Sequence, residues 1–253
     1  MSWGFRRVRW IPACTTCSVS LRPNPGTRMM QNMILVATNN PHKLSELRRI
    51  LPGVDLRKPA DLGLELRAAE TGSTYLENAL IKAEALAELA STLKPDAEPR
   101  RQGQEGGGWV ILADDSGLEV DALDGRPGIY SARYGTQEGG EDLDDTGRTE
   151  RLLTELADSE NRRAAYHCSV VLLAGRELLA AHATWPGRIA GEITPGGTGF
   201  GYDPVFIPED HSEPVSLMTE AAKAGESHRA RATLRVAAAA AAWPAGRLAG
   251  LHR

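Results

Sequence analysis

Long apolar runs are absent from this 253-residue chain. The longest, Val236 to Trp243, is nearly all alanine and is less than half the length of a membrane-spanning helix. An excess of positive charge is also missing, because 29 lysines and arginines face 33 aspartates and glutamates. The first 32 residues hold five arginines and no acid, so the rest of the chain is more acidic still. These absences exclude a transmembrane anchor and make nucleic acid a poor candidate partner, although a local cationic pocket is compatible with them.

Cysteine is scarce, with only Cys14, Cys17 and Cys168 in the whole chain. Three cysteines cannot form a disulfide framework at this length, so we expect a reducing compartment and take the cytoplasm as the default. Cys14 and Cys17 have the spacing of half a zinc site or of a redox pair. No second pair exists to complete such a site, which argues against both roles.

Residues 1–32 show neither helical nor strand periodicity, and Met29, Met30 and Met33 offer later starts. We expect this segment to be a disordered extension or the result of a misassigned start. A targeting peptide is the alternative, but the segment lacks the apolar stretch and the amphipathic period of such peptides. We therefore place the folded domain at residues 33–253, with an inserted loop at 94–108 that is rich in glycine, proline and charge.

Hydrophobic periodicity in the rest of the chain predicts an α/β protein with a mixed sheet and a cleft. A polar turn, Asp114 to Gly117, is expected between two of its strands, and Ser227 is expected to cap the last helix. The predicted strands are 34–38, 109–113, 118–123, 164–174 and 177–185, and the predicted helices are 42–51, 75–93, 144–157 and an alanine-rich one after Ser227.

The first chemical motif lies where a strand leads into a helix, at Thr38-Asn-Asn-Pro-His-Lys43. Free backbone N–H groups and the positive end of the helix attract anions there, and a lysine one turn into the helix can reach their oxygens. The motif therefore fits a phosphate, although it is not a Walker loop. Its alternative is a good helix cap, with Pro41 at the first helical position.

The second motif is Ala113-Asp-Asp-Ser-Gly117 at the end of a strand, together with Glu70 and with Glu77-Asn78 on the longest helix. Two or three convergent carboxylates would hold Mg²⁺ and leave its water sites for a phosphate substrate. The alternative is an Asx turn, which Asp-Asp-Ser-Gly also forms, and by itself the motif favours that alternative.

Two further motifs lie near the C-terminus. Glycines flank Phe200 in Gly196-Gly-Thr-Gly-Phe-Gly-Tyr-Asp203, so the backbone can approach a ligand and the ring can stack on a nucleobase. The alternative is a glycine-rich hairpin with one buried ring. Ser227-His-Arg229 opens the last helix, with Lys223 shortly before it. Its alternative is a serine cap followed by a solvated basic turn.

Taken in order, these motifs resemble the inosine triphosphate pyrophosphatase family, whose members hydrolyse deaminated purine nucleoside triphosphates. The resemblance runs from about Met33 to near Leu251, apart from the insert at 94–108. It is carried by Thr-Asn-Asn-Pro-His-Lys43, Glu-Thr-Gly-x-Thr-Tyr-x-Glu-Asn-Ala79, Ala-Asp-Asp-Ser-Gly-Leu118, Pro-Gly-Ile-Tyr-Ser-Ala-Arg133, Gly-Phe-Gly-Tyr-Asp-Pro204 and Ser-His-Arg229.

The resemblance implies a role for each matching position. Lys43 and Asp115 would be catalytic, and Glu70 and Asp115 would hold Mg²⁺, with Asp115 as metal ligand, as proton acceptor or as both. Phe200 would stack on the purine while polar groups read its keto edge. The implied substrate-binding residues are Thr38, Asn39, Asn40, Pro41, His42, Lys43, Ser116, Phe200, Gly201, Tyr202, Asp203, Lys223, His228 and Arg229.

The resemblance also implies an elongated mixed sheet with flanking helices, two lobes around a central active-site cleft, and a homodimer. The implied reaction converts inosine, deoxyinosine or xanthosine triphosphate to the monophosphate and pyrophosphate. Alternatives are a related pyrophosphatase for modified pyrimidines and a nucleotide-sensing or RNA-binding module without turnover. Ala69 and Ala222 stand where many members carry an acid, which could weaken the positioning of the metal or of Lys223.

Overall fold

The computed structural model describes residues 7–11, 33–93, 109–136, 140, 142–175 and 177–241, which include seven β-strands and five α-helices. The strands are β1 (Arg7–Ile11), β2 (Ile34–Val36), β3 (Leu56–Arg57), β4 (Val110–Val120), β5 (Arg163–Ala174), β6 (Glu177–Ile189) and β7 (Phe206–Pro208). The helices are α1 (Pro41–Ile50), α2 (Tyr75–Ala90), α3 (Asp145–Glu155), α4 (Glu220–Glu226) and α5 (His228–Ala241).

The strands form one mixed sheet in the order β1-β6-β5-β4-β2-β3, with β7 paired to β6 outside this path. Strand β2 runs parallel to β3 and β4, and β1 runs parallel to β6, whereas β7 is antiparallel to β6. Strands β5 and β6 are neighbours joined by two residues, which is a connection length typical of a hairpin. The predicted mixed α/β class is confirmed.

The chain divides into two compact units. Unit 1 comprises Met1–Asp115, Ser169–His182 and Ala232–Arg253, and unit 2 comprises Ser116–Cys168 and Ala183–Arg231. Strands β4, β5 and β6 each contribute residues to both units.

The core of unit 1 is built by helix α2 on the sheet. Its apolar stripe is Ala79, Ala83, Leu86 and Ala90, which recur at helical spacing and are fully buried against β-strand residues. Thr74 begins the helix with a capping box, in which its hydroxyl accepts from the Glu77 N–H and a Glu77 carboxylate oxygen accepts from the Thr74 N–H. The helix ends at Ala90, three residues before the predicted end, and its last carbonyls are bound by a tightened turn.

The core of unit 2 lies between helix α3 and the halves of β4, β5 and β6 in this unit. Leu152 of α3 and Leu156, which directly follows the helix, are completely buried in this core with Leu118 and Phe206. Asp144 caps α3 by accepting a hydrogen bond from the Gly147 N–H at 2.8 Å. This agrees with the predicted start of the helix within one residue.

The polar turn predicted at Asp114 to Gly117 is wrong, because strand β4 continues through these residues without interruption. An Asx turn needs the aspartate side chain to bond its own nearby backbone. Here the carboxylates of Asp114 and Asp115 are instead buried and paired with lysines, which leaves the backbone free to extend. The motif therefore lies on a buried strand rather than at a strand end.

Strand β1 differs from the expectation of a disordered or misassigned segment at residues 1–32. Residues Arg7–Ile11 pair in parallel with Glu177–Ala181 of β6, so they add a strand to the edge of the sheet. The segment is rich in arginine, so no strand is predicted there. It nevertheless contains Val8, Trp10 and Ile11 within five residues, and these residue types favour strands. The division at residue 33 stays a prediction.

Several sequence-based expectations lie outside the described residues. These are the rest of the N-terminal segment, including Cys14 and Cys17, and the insert at 94–108. Among the described residues, no helix is long and apolar enough to cross a membrane.

A chain that begins at Met33 tests the contribution of β1. All of the candidate site residues follow position 33, so we expect activity per folded molecule to persist. Loss of the ladder to Glu177–Ala181 exposes a sheet edge, and we expect the melting temperature to fall by about 2–4 °C and self-association to rise. Differential scanning fluorimetry and light scattering measure these two effects.

The full-length variant Arg9→Pro/Trp10→Pro is the matched control, because it keeps the segment and breaks the strand. It should reproduce both effects. Melting of the shortened chain at the parent's temperature would show that β1 does not stabilise the sheet.

Candidate active site

The turn from Thr38 to Lys43 joins β2 to α1 and is held by asparagine side chains. Asn40 is the N-cap of α1, and its Oδ1 atom accepts from the N–H groups of His42 and Lys43 at 2.9 and 3.3 Å. Asn39 donates to the Leu66 carbonyl at 2.9 Å, and the Asn40 N–H donates to the Thr38 hydroxyl at 3.1 Å. The helix-cap alternative of the sequence analysis therefore describes this turn correctly.

The cap changes how an anion would be bound here. Pro41 has no N–H, and the next two N–H groups are already bonded to Asn40. The attraction that this turn offers to a phosphate comes from the helix dipole and from side chains such as Lys43, rather than from the first free amides.

A cluster of carboxylates and lysines, defined by Lys43, Glu70, Asn78, Lys82, Asp114 and Asp115, lies in unit 1. The Lys43 ammonium is 3.1 Å from an Asp114 carboxylate oxygen, and the Asp114 side chain has no exposed surface. The Lys82 ammonium donates to Asp115 at 2.6 Å and to Glu70 at 2.9 Å. This carboxylate cluster therefore holds each aspartate of β4 against a lysine from a different helix.

Helix α2 supplies two of the groups around Asp115. Asn78 and Lys82 are four residues apart, so they share one face of the helix. The Asn78 amide donates toward Asp115 at 3.4 Å, and its oxygen accepts from the Gly72 N–H at 2.9 Å. Both side chains are buried.

Lys82 was missed in the sequence analysis. A signal for it was present, because it lies three residues after Ala79 and directly before Ala83 in the apolar stripe of α2. A lysine at the edge of a buried stripe needs a charged partner, since burial of an unpaired ammonium is strongly unfavourable. The partners become visible only when β4 is placed beside α2.

Burial and neighbouring charges shift the pKa values of the carboxylate cluster. Burial raises the pKa of Asp115 above its ordinary value, and the ammonium groups of Lys82 and Lys43 oppose that rise without cancelling it. Burial acts to lower the pKa of Lys82, but the fields of Asp115, Asp114 and Glu70 together raise it. Lys82 is therefore a firmly charged cation between two carboxylates.

Carboxylate oxygens are the side-chain donors that a hard cation such as Mg²⁺ prefers. Within the described ranges, no group of three or more His, Cys, Asp and Glu side chains is placed to hold a metal ion. Glu70 and Asp115 nevertheless converge on one cation, the Lys82 ammonium. One or two carboxylates are the usual protein contribution to a Mg²⁺ site that also holds water and phosphate. The oxygen donors of this pair therefore fit Mg²⁺.

A second cluster lies in unit 2 around the Phe200 loop, defined as residues 199–203. An Asp203 carboxylate oxygen accepts from the Phe200 N–H at 2.9 Å and from the Lys223 ammonium at 2.5 Å. The Lys223 ammonium lies 5.1 Å from the centre of the Phe200 ring, and the Arg229 guanidinium lies 5.8 Å from it. Two cations thus adjoin one half-buried aromatic ring.

Arg229 and His228 open helix α5 and are both buried. Arg229 donates to the Ser116 hydroxyl at 2.8 Å. The ring of His228 stacks on Tyr166, with ring centres 4.6 Å apart and planes 6° apart. Ser227 caps the helix as predicted, since its hydroxyl accepts from the Ala230 N–H at 3.2 Å.

The side chain of Tyr202 is buried in the protein core, whereas a base-binding side chain is expected to face the ligand. Its ring is buried in the core of unit 2, and its hydroxyl donates to the Ser131 carbonyl at 3.0 Å. The neighbouring Gly201 has a φ of +62° and bonds to helix α3 through its N–H group. The side chain of Tyr202 therefore anchors the Phe200 loop to the core.

The structure groups the predicted site residues in two sets. Lys43, Glu70 and Asp115 meet in unit 1, near the turn that holds Thr38, Asn39, Asn40, Pro41 and His42. Ser116, Phe200, Asp203, Lys223 and Arg229 meet in unit 2. Asp115 and Ser116 are consecutive in the chain, so β4 carries one residue of each set.

Carboxylates that can hold Mg²⁺, with a lysine close by, are groups that enzymes acting on phosphates use. A model of the Ham1 family matches residues 34–239, and the chain belongs to this family. The dITP/XTP pyrophosphatase of Halorhodospira halophila (strain DSM 244 / SL1) is 41% identical over 206 residues, which cover 79% of this chain and 92% of that protein. The dITP/XTP pyrophosphatase of Bacillus subtilis (strain 168) is 38% identical over 203 residues, covering 78% and 91%.

Solved structures agree with this assignment. The Ham1 protein of Staphylococcus aureus has a TM-score of 0.65 and 33% identity to this chain, covering 82% of this chain and 98% of that one. A nucleoside-triphosphatase / dITP/XTP pyrophosphatase from Mycobacterium abscessus gives 0.54 and 36%, covering 76% and 92%. The resemblance drawn from the ordered motifs is confirmed.

Removal of the Lys82 ammonium should destabilise the fold. Lys82→Met leaves Asp115 and Glu70 facing each other without their shared cation, and we expect the free energy of unfolding to fall by about 3–5 kcal/mol. Urea unfolding at neutral pH with a chelator present measures this change. Lys82→Met/Asp115→Asn should recover part of the loss, because it removes the uncompensated buried charge.

The matched control is Arg67→Met, which breaks an ion pair with Glu65 in which the side chains are 82% and 74% exposed. We expect its unfolding free energy to stay close to that of the parent chain, because exposed pairs contribute little. An equal effect of Lys82→Met and Arg67→Met would contradict the proposed burial of charge.

Proposed function

We propose that this protein hydrolyses deaminated purine nucleoside triphosphates to the nucleoside monophosphate and pyrophosphate. The observation that carries the proposal is Asp115, a buried carboxylate of β4 held by Lys82 beside Glu70, with Lys43 on the adjacent Asp114. The family membership and the relatives named dITP/XTP pyrophosphatase support the choice of substrate.

The triphosphate is assigned to Lys43 and to the turn formed by Thr38, Asn39, Asn40, Pro41 and His42. Lys43 lies in the first turn of α1, where the helix dipole also favours negative charge. Its ammonium group would neutralise charge on the departing pyrophosphate. Asp114 holds that ammonium in place at 3.1 Å, which limits the freedom of the long lysine side chain.

Glu70 and Asp115 are the residues that would hold Mg²⁺. When bound there, the ion supplies positive charge that stabilises the phosphoryl oxygens in the transition state. Lys82 fixes the two carboxylates toward each other through its two hydrogen bonds. Lys82 therefore positions these carboxylate oxygens before the substrate binds.

Water attacks the α-phosphorus in the proposed reaction, and Asp115 acts as metal ligand or accepts the proton of that water. The raised pKa of its carboxyl makes it a better proton acceptor than an exposed aspartate. Asn78, on the same carboxylate, orients it by donating a hydrogen bond.

The purine is assigned to the cluster in unit 2. Phe200 offers a stacking face. The other residues assigned to base binding are Gly201, Tyr202, Asp203, Lys223, His228 and Arg229, and Ser116 is assigned as a further substrate contact. The side chains of Arg229 and Lys223 are donors only, so they suit the carbonyl at position six of hypoxanthine and xanthine. Adenine carries an amino donor at that position and would leave such a group unpaired.

We also propose a homodimer that acts in the cytoplasm, as the family resemblance and the scarcity of cysteine imply. Light scattering coupled to size-exclusion chromatography tests the dimer.

A panel of nucleoside triphosphates tests the proposed reaction. We expect Mg²⁺-dependent release of pyrophosphate from inosine, deoxyinosine and xanthosine triphosphates, and far slower release from adenosine and guanosine triphosphates. In the same assay, Asp115→Asn should fold normally and lose about 10²-fold or more of the rate. Orthophosphate as the product, equal rates with adenosine triphosphate, or binding without turnover would refute the proposal.

Arg229→Ala tests the assignment of the base-reading set. A buried donor without an acceptor costs about 1–3 kcal/mol, which corresponds to a selectivity of roughly 5- to 150-fold. We therefore expect kcat/KM to fall strongly for inosine triphosphate and little for adenosine triphosphate, so that their ratio shrinks. Guanine shares the six-keto group, so the ratio of kcat/KM for inosine triphosphate to that for guanosine triphosphate should not change.

The control for this substitution is Arg231→Ala, which removes an arginine two residues later on α5 that donates to the Thr184 carbonyl. It should leave the ratio of the two substrates unchanged. Equal proportional losses of both substrates in Arg229→Ala would assign the arginine to phosphate binding or to the start of the helix.

A further inference from the structure

The Phe200 loop is bound by helix α3, at a residue that the site assignments do not include. A carboxylate oxygen of Asp145, in the first turn of α3, accepts a hydrogen bond from the Gly201 N–H at 2.6 Å. The other carboxylate oxygen accepts from Arg148 in the same helix. Asp145 therefore joins the start of α3 to the residue that directly follows Phe200.

We propose that Asp145 is a positioning residue for purine recognition, which holds Phe200 in its stacking position by fixing the Gly201 amide. This inference rests on the proposed function, because it assigns the Phe200 ring to the purine. It concerns binding of the base and leaves the groups that act on the phosphates untouched.

Two consecutive amides of the Phe200 loop are held by two different carboxylates. The Phe200 N–H is held by Asp203, within the loop, and the Gly201 N–H is held by Asp145, from outside it. Asp203 also binds the Lys223 ammonium, so its position depends on that cation. Asp145 is the one of the two that ties the loop to a helix packed on the core of unit 2.

The loop needs such an anchor because its backbone is glycine-rich. Gly199 has a φ of +104°, and a Cβ atom there would lie 2.2 Å from an Asp203 carboxylate oxygen, so only glycine fits. Glycines on both sides of Phe200 leave the unbound backbone with many conformations. Without the hydrogen bond from Gly201, ordering of the loop would be a cost that purine binding has to meet.

Thr149, one turn further along α3, reinforces the contact only weakly. Its hydroxyl lies 2.7 Å from the Asp145 carbonyl and 3.4 Å from the Gly201 carbonyl. A hydroxyl has one proton to donate, and the shorter distance assigns it to the helix. Of the two contacts that α3 makes to Gly201, the one from Asp145 is therefore the stronger.

The charge of Asp145 is balanced locally by Arg148, whose side chain is largely buried. A neutral asparagine at this position keeps an oxygen that can accept from Gly201, whereas alanine keeps none. Asparagine therefore removes the charge and keeps the hydrogen bond, whereas alanine removes both, so the two substitutions separate the hydrogen bond from the charge.

Steady-state kinetics with inosine triphosphate form the first arm of the test. We expect Asp145→Ala to raise KM about tenfold with kcat within twofold of the parent, and Asp145→Asn to restore KM to within about threefold. The Kd of inosine monophosphate, measured by calorimetry without turnover, should rise by the same factor as KM. Inhibition by inorganic tripolyphosphate, which has no base, should not change.

Asp144→Ala is the matched control, because Asp144 caps the same helix through Gly147 and has no hydrogen bond to the loop among those described. It should lower the melting temperature and leave KM unchanged. A rise in KM equal to that of Asp145→Ala, a weakened inhibition by tripolyphosphate, or a fall in kcat alone would overturn the proposal.

Hydrogen exchange separates failure of this inference from failure of the proposed function. Asp145→Ala should speed amide exchange in the peptide that contains residues 199–203, and Asp144→Ala should not. A parent chain that neither binds inosine monophosphate nor hydrolyses inosine triphosphate would refute the proposed function, and with it the purine role of Asp145. Unchanged exchange in Asp145→Ala would refute the positioning itself.

Discussion

Burial of charge on strand β4 is the constraint on which the rest of unit 1 depends. Asp114 and Asp115 are 1% and 5% exposed, so each needs a cation within hydrogen-bond reach. Lys43 meets the first from α1, and Lys82 meets the second from α2. Two helices are thereby fixed against one strand by ion pairs, in addition to the apolar contacts of Ala79, Ala83 and Leu86.

The same ion pairs explain how far the sequence could predict the fold. Helix α2 is predicted at 75–93 from hydrophobic periodicity, because that signal is local. The course of β4 was misjudged, since Asp-Asp-Ser-Gly favours a turn unless lysines from elsewhere bind the carboxylates. That information lies 33 residues away at Lys82, and no local pattern contains it.

The candidate site shows the same division between local and distant information. Glu70, Asp115, Phe200 and Arg229 are predicted as site residues because their motifs stand in a recognisable order. Lys82 and Asp145 are not, because each contacts a partner that is far away in the chain. Tyr202 was found for its motif, yet its side chain serves the core of unit 2. Periodicity and motifs thus identify candidate residues, whereas the role of each side chain depends on how the elements pack.

The side chain of Asn40 caps helix α1 with the same backbone amides that could bind an anion at this turn. The side chain that starts the helix occupies the amides of His42 and Lys43, the groups that an incoming anion would otherwise use. A shorter side chain at position 40 would release those amides to an anion and would weaken the start of the helix that carries Lys43. Stability of α1 and capture of phosphate by its backbone therefore compete for the same two hydrogen atoms, and this chain resolves the competition in favour of the helix.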